Sequence, residues 1–139
     1  VYLDSSVLVK RYVQEPDSGH VDQVVVGAAI VSSDLAFGEV WAALLAKERA
    51  GDVSVAVREL AWRAFQEDVQ EGVLRLIPID GVMIREANEL MYRVHPHVPL
   101  RTLDAIHLAT YQSVITGAIF TKDKRVHAAA KLLGFATEE

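Results

Sequence analysis

Short apolar runs alternate along the chain with longer stretches whose apolar residues recur at helical spacing. Val1-Tyr2-Leu3 is apolar and β-prone and meets Asp4-Ser5-Ser6, good N-cap chemistry, so a strand is expected to hand over to a short helix at 7–12. Glu15-Pro16-Asp17-Ser18-Gly19 stops that helix, and a second is expected at 20–26. Ala29-Ile30-Val31 reads as a buried strand, ended by the cap cluster Ser32-Ser33-Asp34. Residues 35–50 contain no helix breaker except Gly38, and Gly51-Asp52 closes the helix. Residues 53–70 are amphipathic, with Val57, Leu60, Ala61, Ala64 and Phe65 on one side, and should form a helical hairpin with their predecessor. Residues 74–79 alternate weakly and read as a strand at a sheet edge, where Pro78 is tolerated. Helices are expected at 82–94 and 102–116, separated by the loop His95-Pro96-His97-Val98-Pro99. Ala118-Ile119-Phe120-Thr121 reads as another strand, Asp123 opens a last helix ending near Gly134, and a small strand is expected at 135–137.

Strands alternating with helices predict an α/β fold with a parallel sheet between helices. With 139 residues and neither repeat nor linker, the chain reads as one domain over 1–139. Apolar residues make up 51% and charged residues 24%, which argues against disorder. Cysteine is absent, which removes disulfides, thiolate metal sites and a thiol nucleophile together and fits a reducing, cytoplasmic location. The longest apolar run, 24–31, has eight residues. A membrane span needs about 20, and the first residues lack the basic and apolar regions of a signal peptide, so no membrane partner is expected. The net charge of −5 speaks against coating nucleic acid by bulk charge. It leaves open an enzyme whose acids gather in one cleft.

Most acids have a simple explanation: Glu67, Asp68, Glu71, Glu86, Glu89, Glu138 and Glu139 read as solvated faces or a tail. Four others stand out. Asp4 follows the first strand and Asp123 follows the 118–121 strand, at the edge of a parallel sheet where ligands bind; each is equally readable as a helix N-cap. Glu39 shares a helical stripe with Ala36, Ala43, Ala46 and Ala50, a small-residue face suited to close packing, where it needs a partner. A salt bridge to a nearby base is the alternative. Asp104 opens the apolar run Ala105-Ile106-His107-Leu108-Ala109, with compensation of the helix dipole as its alternative role.

If these four acids converge, they repel: two charges about 4 Å apart cost about 4 kcal/mol at an effective dielectric of 20. Protons or a cation must then neutralise them, and neutralising Glu39 or Asp104 by mutation is expected to stabilise the metal-free protein. Oxygen ligands without cysteine suit Mg²⁺ or Mn²⁺, and such a site supports metal-assisted hydrolysis of a phosphodiester.

Four blocks, in order, carry a family likeness: Tyr2-Leu3-Asp4-Ser5-Ser6-Val7-Leu8-Val9-Lys10-Arg11-Tyr12; Ser33-Asp34-Leu35 with Glu39; Leu103-Asp104-Ala105-Ile106-His107-Leu108-Ala109; and Phe120-Thr121-Lys122-Asp123 with Ala128-Ala129-Ala130 and Gly134. Together they resemble PIN-domain proteins, particularly the VapC-type toxins. The resemblance implies a sheet of about five parallel strands flanked by helices. It implies a Mg²⁺- or Mn²⁺-dependent endoribonuclease site built from Asp4, Glu39, Asp104 and Asp123, with Asp4, Asp104 and Asp123 on the metal. It further implies an RNA substrate, a small VapB-type antitoxin and a homodimer.

Ser6 and Thr121 place hydroxyls beside Asp4 and Asp123, where they could orient a carboxylate or a metal-bound water, or serve as caps. His107 reads as a hydrogen-bonding residue of the helix packing, and His95 and His97 as exposed loop residues. Lys10, Arg11, Arg101, Lys122, Lys124 and Arg125 flank the acidic motifs and could hold phosphates. Trp41, Leu44, Leu45, Trp62 and Phe65 are much apolar mass for two neighbouring helices and mark a candidate dimer or antitoxin surface. Competing functions are a metal-dependent nuclease or phosphatase with a non-RNA substrate and a PIN-like module that binds a partner without cutting. A receiver-type acid cluster is discounted because Ser5 and Ser6, not a second acid, follow Asp4.

Overall fold

A computed structural model describes residues 1–114 and 117–138. Its strands are β1 (Tyr2–Leu3), β2 (Ile30–Ser33), β3 (Leu74–Ile77), β4 (Ile119–Phe120) and β5 (Thr137–Glu138). All pairings are parallel, in the order β3-β2-β1-β4-β5. The helices among the described residues are α1 (Ser5–Leu8), α2 (Ser18–Val25), α3 (Leu35–Arg49), α4 (Val55–Gln70), α5 (Gly81–Val94), α6 (Thr102–Val114) and α7 (Lys124–Leu132). The chain winds outward from β1 to β3 and then returns to the other side of β1, so the strand order reverses between β1 and β4. In open parallel sheets the crevice beyond the strand ends at such a reversal is the usual ligand site.

Side chains alternate across the strands with period two. Tyr2, Val31, Ile77 and Ile119 enter a core shared with α5, α6 and α7. Leu3, Ile30, Leu74 and Phe120 enter a second core shared with α1 to α4. Both faces of the sheet are thus covered, which is why the central strands β1 and β4 are buried on both sides rather than alternating, whereas edge strand β3 exposes Arg75.

Several boundaries differ from the sequence reading for local reasons. Helix α1 starts at Ser5, because Asp4 itself is the N-cap and accepts from the Val7 amide at 3.1 Å; a 3-10 turn, Val9–Arg11, follows. Ser32 and Ser33 close β2 instead of capping from a loop. Both are fully buried, and Ser32 Oγ donates to the Leu3 carbonyl at 2.6 Å. Helices α4 and α5 begin behind the caps Ser54 and Asp80. Strand β3 lies at the sheet edge as expected and ends before Pro78. Glu138 belongs to β5 and not to a tail. Positions 115 and 116 of the expected sixth helix and Glu139 lie outside the described residues.

The hairpin of α3 and α4 forms, but the buried row of α3 is Ala36, Val40 and Leu44, while Ala46 and Ala50 are exposed. Leu44 and Phe65 are fully buried, and Trp62 stacks on Phe65 at 5.1 Å and meets Trp41 at 4.8 Å. Part of the aromatic mass of this hairpin is therefore core. Phe37 and Leu60 remain 46% and 61% exposed. No helix among the described residues is long and apolar enough to cross a membrane.

Candidate active site

Asp4 leaves the carboxyl end of β1 and is the N-cap of α1, one of the two roles open to it in the sequence. Its Oδ1 accepts from the Val7 amide and from Ser6 Oγ at 2.6 Å; its Oδ2 accepts from Thr121 Oγ1. The residue is 4% exposed. Burial pushes its carboxyl above the usual range, and the hydrogen bonds from the Ser6 and Thr121 hydroxyls and the Val7 amide offset this only in part. Ser6 Oγ also accepts from the Lys122 amide at 3.2 Å, and Thr121 Oγ1 from the Asp123 amide at 3.0 Å. The two hydroxyls thereby tie the chain after β4 to the chain after β1.

Asp123 caps α7, with Oδ1 accepting from the Arg125 and Val126 amides at 2.7 and 3.2 Å. Its Oδ2 faces Arg101 Nη2 at 3.1 Å. Asp104, in the first turn of α6, is 8% exposed. It takes two hydrogen bonds from Arg101, Nε to Oδ2 at 2.8 Å and Nη2 to Oδ1 at 3.1 Å. Arg101 therefore bridges Asp104 and Asp123. Glu39 projects from α3 into the same region, and an open pocket is lined by Glu39, Arg101, Thr102, Leu103 and Asp104. Its Oε1 accepts from Ser5 Oγ at 3.0 Å and faces His107 Nε2 at 2.6 Å. Burial would raise the Glu39 carboxyl, but the His107 and Ser5 hydrogen bonds and the Arg101 charge outweigh it and hold it below its ordinary value.

The expectation that the four acids repel one another is corrected by this geometry. Arg101 sits between Asp104 and Asp123 and answers much of their negative charge, and His107 hydrogen-bonds Glu39. Among the described residues, no three His, Asp or Glu side chains come close enough to share one ion. The donor set nevertheless fits a hard divalent cation: the oxygens of Asp4, Asp104 and Asp123 are harder than any His or Cys alternative. One cation, the Arg101 guanidinium, already lies against two of them, on a side chain that is 57% exposed.

Of the bases expected to hold phosphates, Lys10 pairs with Glu15 and Asp17, and Arg11 pairs with Asp68 at 3.2 Å. Lys122 lies 4.0 Å from Asp17. Arg101 is the base that lines the pocket. His95 and His97 are exposed, as expected. His107 is a buried hydrogen-bonding residue, as expected, and its partners Glu39, Tyr2 and Ser5 lie far from it in sequence. A signal existed: a tyrosine on a buried strand two residues before Asp4 needs a partner for its hydroxyl.

A PIN domain family model matches residues 1–132. Ribonuclease VapC46 of Mycobacterium tuberculosis is 38% identical over 139 residues, covering 98% of this chain and 94% of that protein. The crystal structure of Mycobacterium tuberculosis VapC20, a toxin that cleaves the sarcin-ricin loop, matches with a TM-score of 0.72 at 18% identity, over 99% of this chain and 98% of that one. A toxin–antitoxin complex from Klebsiella pneumoniae matches with a TM-score of 0.63 at 15% identity, over 92% and 90% of the two chains. At such identities the two structures speak for the fold alone.

Proposed function

The chain belongs to the PIN-domain family, and from that premise we propose that it is a Mg²⁺- or Mn²⁺-dependent endoribonuclease acting as the toxin of a toxin–antitoxin pair. What supports this most is the junction of β1 and β4, where Asp4 and Asp123 leave adjacent strand ends and are tied together through Ser6 and Thr121. The 38% identity to a named ribonuclease supports the choice of RNA.

In this reading Asp4, Asp104 and Asp123 hold the ion, directly or through water. When bound, the ion supplies Lewis acidity to the phosphate and lowers the pKa of water. Glu39, kept ionised, orients the attacking water or takes its proton. The Ser6 and Thr121 hydroxyls keep Asp4 in one orientation. Arg101, once released from its carboxylates, meets a phosphate oxygen with its planar pair of donors. An antitoxin partner and a homodimer complete the reading, with the exposed apolar residues of α3 and α4 as candidate contact surface.

The test is cleavage of RNA by purified protein with Mg²⁺ or Mn²⁺, in EDTA, and after Asp4→Asn. Cleavage is expected only for the wild type with metal. Full activity in EDTA or in Asp4→Asn overturns the mechanism. Preference for DNA or a small phosphoester makes it another kind of phosphoesterase, and RNA or partner binding without cleavage makes it a binding module.

A further inference from the structure

Tyr2, Ser5, Glu39 and His107 come from β1, α1, α3 and α6 and meet in one hydrogen-bonded group. His107 is 3% exposed, and Tyr2 is fully buried. The imidazole places Nδ1 2.7 Å from the Tyr2 hydroxyl, and Nε2 2.6 Å from Glu39 Oε1 and 3.3 Å from Ser5 Oγ. Ser5 donates to the same Glu39 oxygen at 3.0 Å. The group therefore joins the elements that carry Asp4, Glu39 and Asp104, and Asp104 and His107 lie one turn apart on α6.

Counting hydrogens sets the direction of each bond. An ionised carboxylate only accepts, so Ser5 Oγ and His107 Nε2 both donate to Glu39. A neutral imidazole then keeps its lone pair on Nδ1, where it accepts from the Tyr2 phenol, which is protonated at neutral pH. Apolar side chains of similar shape would fill this space at little loss of stability, because the net gain from a buried polar group is small. What an apolar replacement cannot supply is a fixed orientation for Glu39, the acid on the wall of the pocket.

We propose that His107 is a positioning residue that tethers Glu39 through Nε2–H, and that Tyr2 sets the ring tautomer which makes this tether possible. Its kinetic consequence rests on the ribonuclease reading; its hydrogen-bond pattern does not.

Two readouts test it. In metal-free protein, long-range ¹⁵N–¹H spectra of the His107 ring should show one neutral tautomer with the proton on Nε2, and Tyr2→Phe should introduce the other. In cleavage assays, His107→Asn should lower kcat about 10- to 100-fold, with KM for RNA and the melting temperature close to wild type. His107→Gln should stay within a few-fold of wild type, because the glutamine amide nitrogen reaches the position of Nε2 and the asparagine amide does not. A proton on Nδ1 in the wild type overturns the proposal, as does an equal loss in the Asn and Gln variants or a loss that follows melting temperature. If neither His107 variant folds, Tyr2→Phe carries the kinetic arm: a several-fold lower kcat at unchanged KM supports the tether, and an unchanged kcat overturns it. If the wild type cuts no RNA, the ribonuclease reading fails, while the ring spectra still decide the tether.

Discussion

Arg101 grips Asp104 at two points, 2.8 and 3.1 Å, and reaches Asp123 with the same guanidinium at 3.1 Å. A divalent ion bound by Asp104 and Asp123 must compete with this guanidinium for the same oxygens. Arg101→Gln is therefore expected to bind Mn²⁺ about two- to five-fold more tightly, a modest effect because the pair is open to solvent and screened. The same variant should cleave more slowly at saturating metal, having lost the base that lines the pocket. Calorimetric titration with Mn²⁺ checks the first half; unchanged or weaker binding shows that Arg101 does not compete with the ion.

The fold was legible because its signals are local. Apolar runs marked the strands, and Asp4, Ser54, Asp80 and Asp123 capped helices near the expected starts. Asp4 and Asp123 could be singled out because they sit at strand-to-helix junctions. What the sequence hid were pairings between distant residues. Ser32 looks like a loop residue until its hydroxyl finds the Leu3 carbonyl on the neighbouring strand. Glu39 looked like an uncompensated acid because the His107–Glu39 contact exists only after α3 and α6 pack. Arg101 reaches Asp123 only once α7 is in place; the Arg101–Asp104 pair, three residues apart, was local and is the exception. Glu39 was noticed for an alanine stripe that is only partly buried; the core row is Ala36, Val40 and Leu44, and Glu39 stands beside it.

The α3–α4 hairpin leaves apolar side chains exposed, among them Phe37, which meets Trp62, and Leu60 on α4. Leu60→Glu changes an exposed position and should alter stability by no more than about 0.5 kcal/mol. If these side chains join two copies of the chain, the variant should lose dimer in light scattering at concentrations where the wild type retains it. A wild type that is monomeric at tens of micromolar removes the homodimer, and an equally dimeric variant moves the contact elsewhere.

Thr121 and Asp4 test the buried side of the site. Thr121→Val removes the hydroxyl that bonds Asp4 Oδ2 and leaves a buried carboxylate short of a donor. Such a loss is expected to destabilise the protein by about 1–3 kcal/mol. In Asp4→Asn the same threonine faces a neutral amide, so adding Thr121→Val there should be less harmful. Urea melts of the two single variants and the double variant, all in EDTA, give the coupling. Additive losses show that Thr121 acts through packing or its bond to the Asp123 amide and not through the Asp4 carboxylate.

Away from the site, Glu15 accepts from both Lys10 and Lys47 and fastens the turn after α1 to α3. Burial raises its carboxyl, but hydrogen bonds and charge from the two lysines outweigh burial and bring it below its ordinary value. A depressed folded-state pKa means that the folded protein releases this proton more readily than the unfolded chain. Its stabilising contribution is therefore complete above the unfolded value near 4.5 and is lost as pH falls through the folded one. Glu15→Gln should cost about 1 kcal/mol at pH 7, since the cluster is partly solvated, and less in high salt. The gap between wild type and variant should close as pH falls below 4.5. Thermal melts of both proteins from pH 7 to pH 3 measure it, and the difference between them removes the contribution of the other carboxylates. A gap that stays constant down to pH 3 means that Glu15 stabilises by packing and not by its charge.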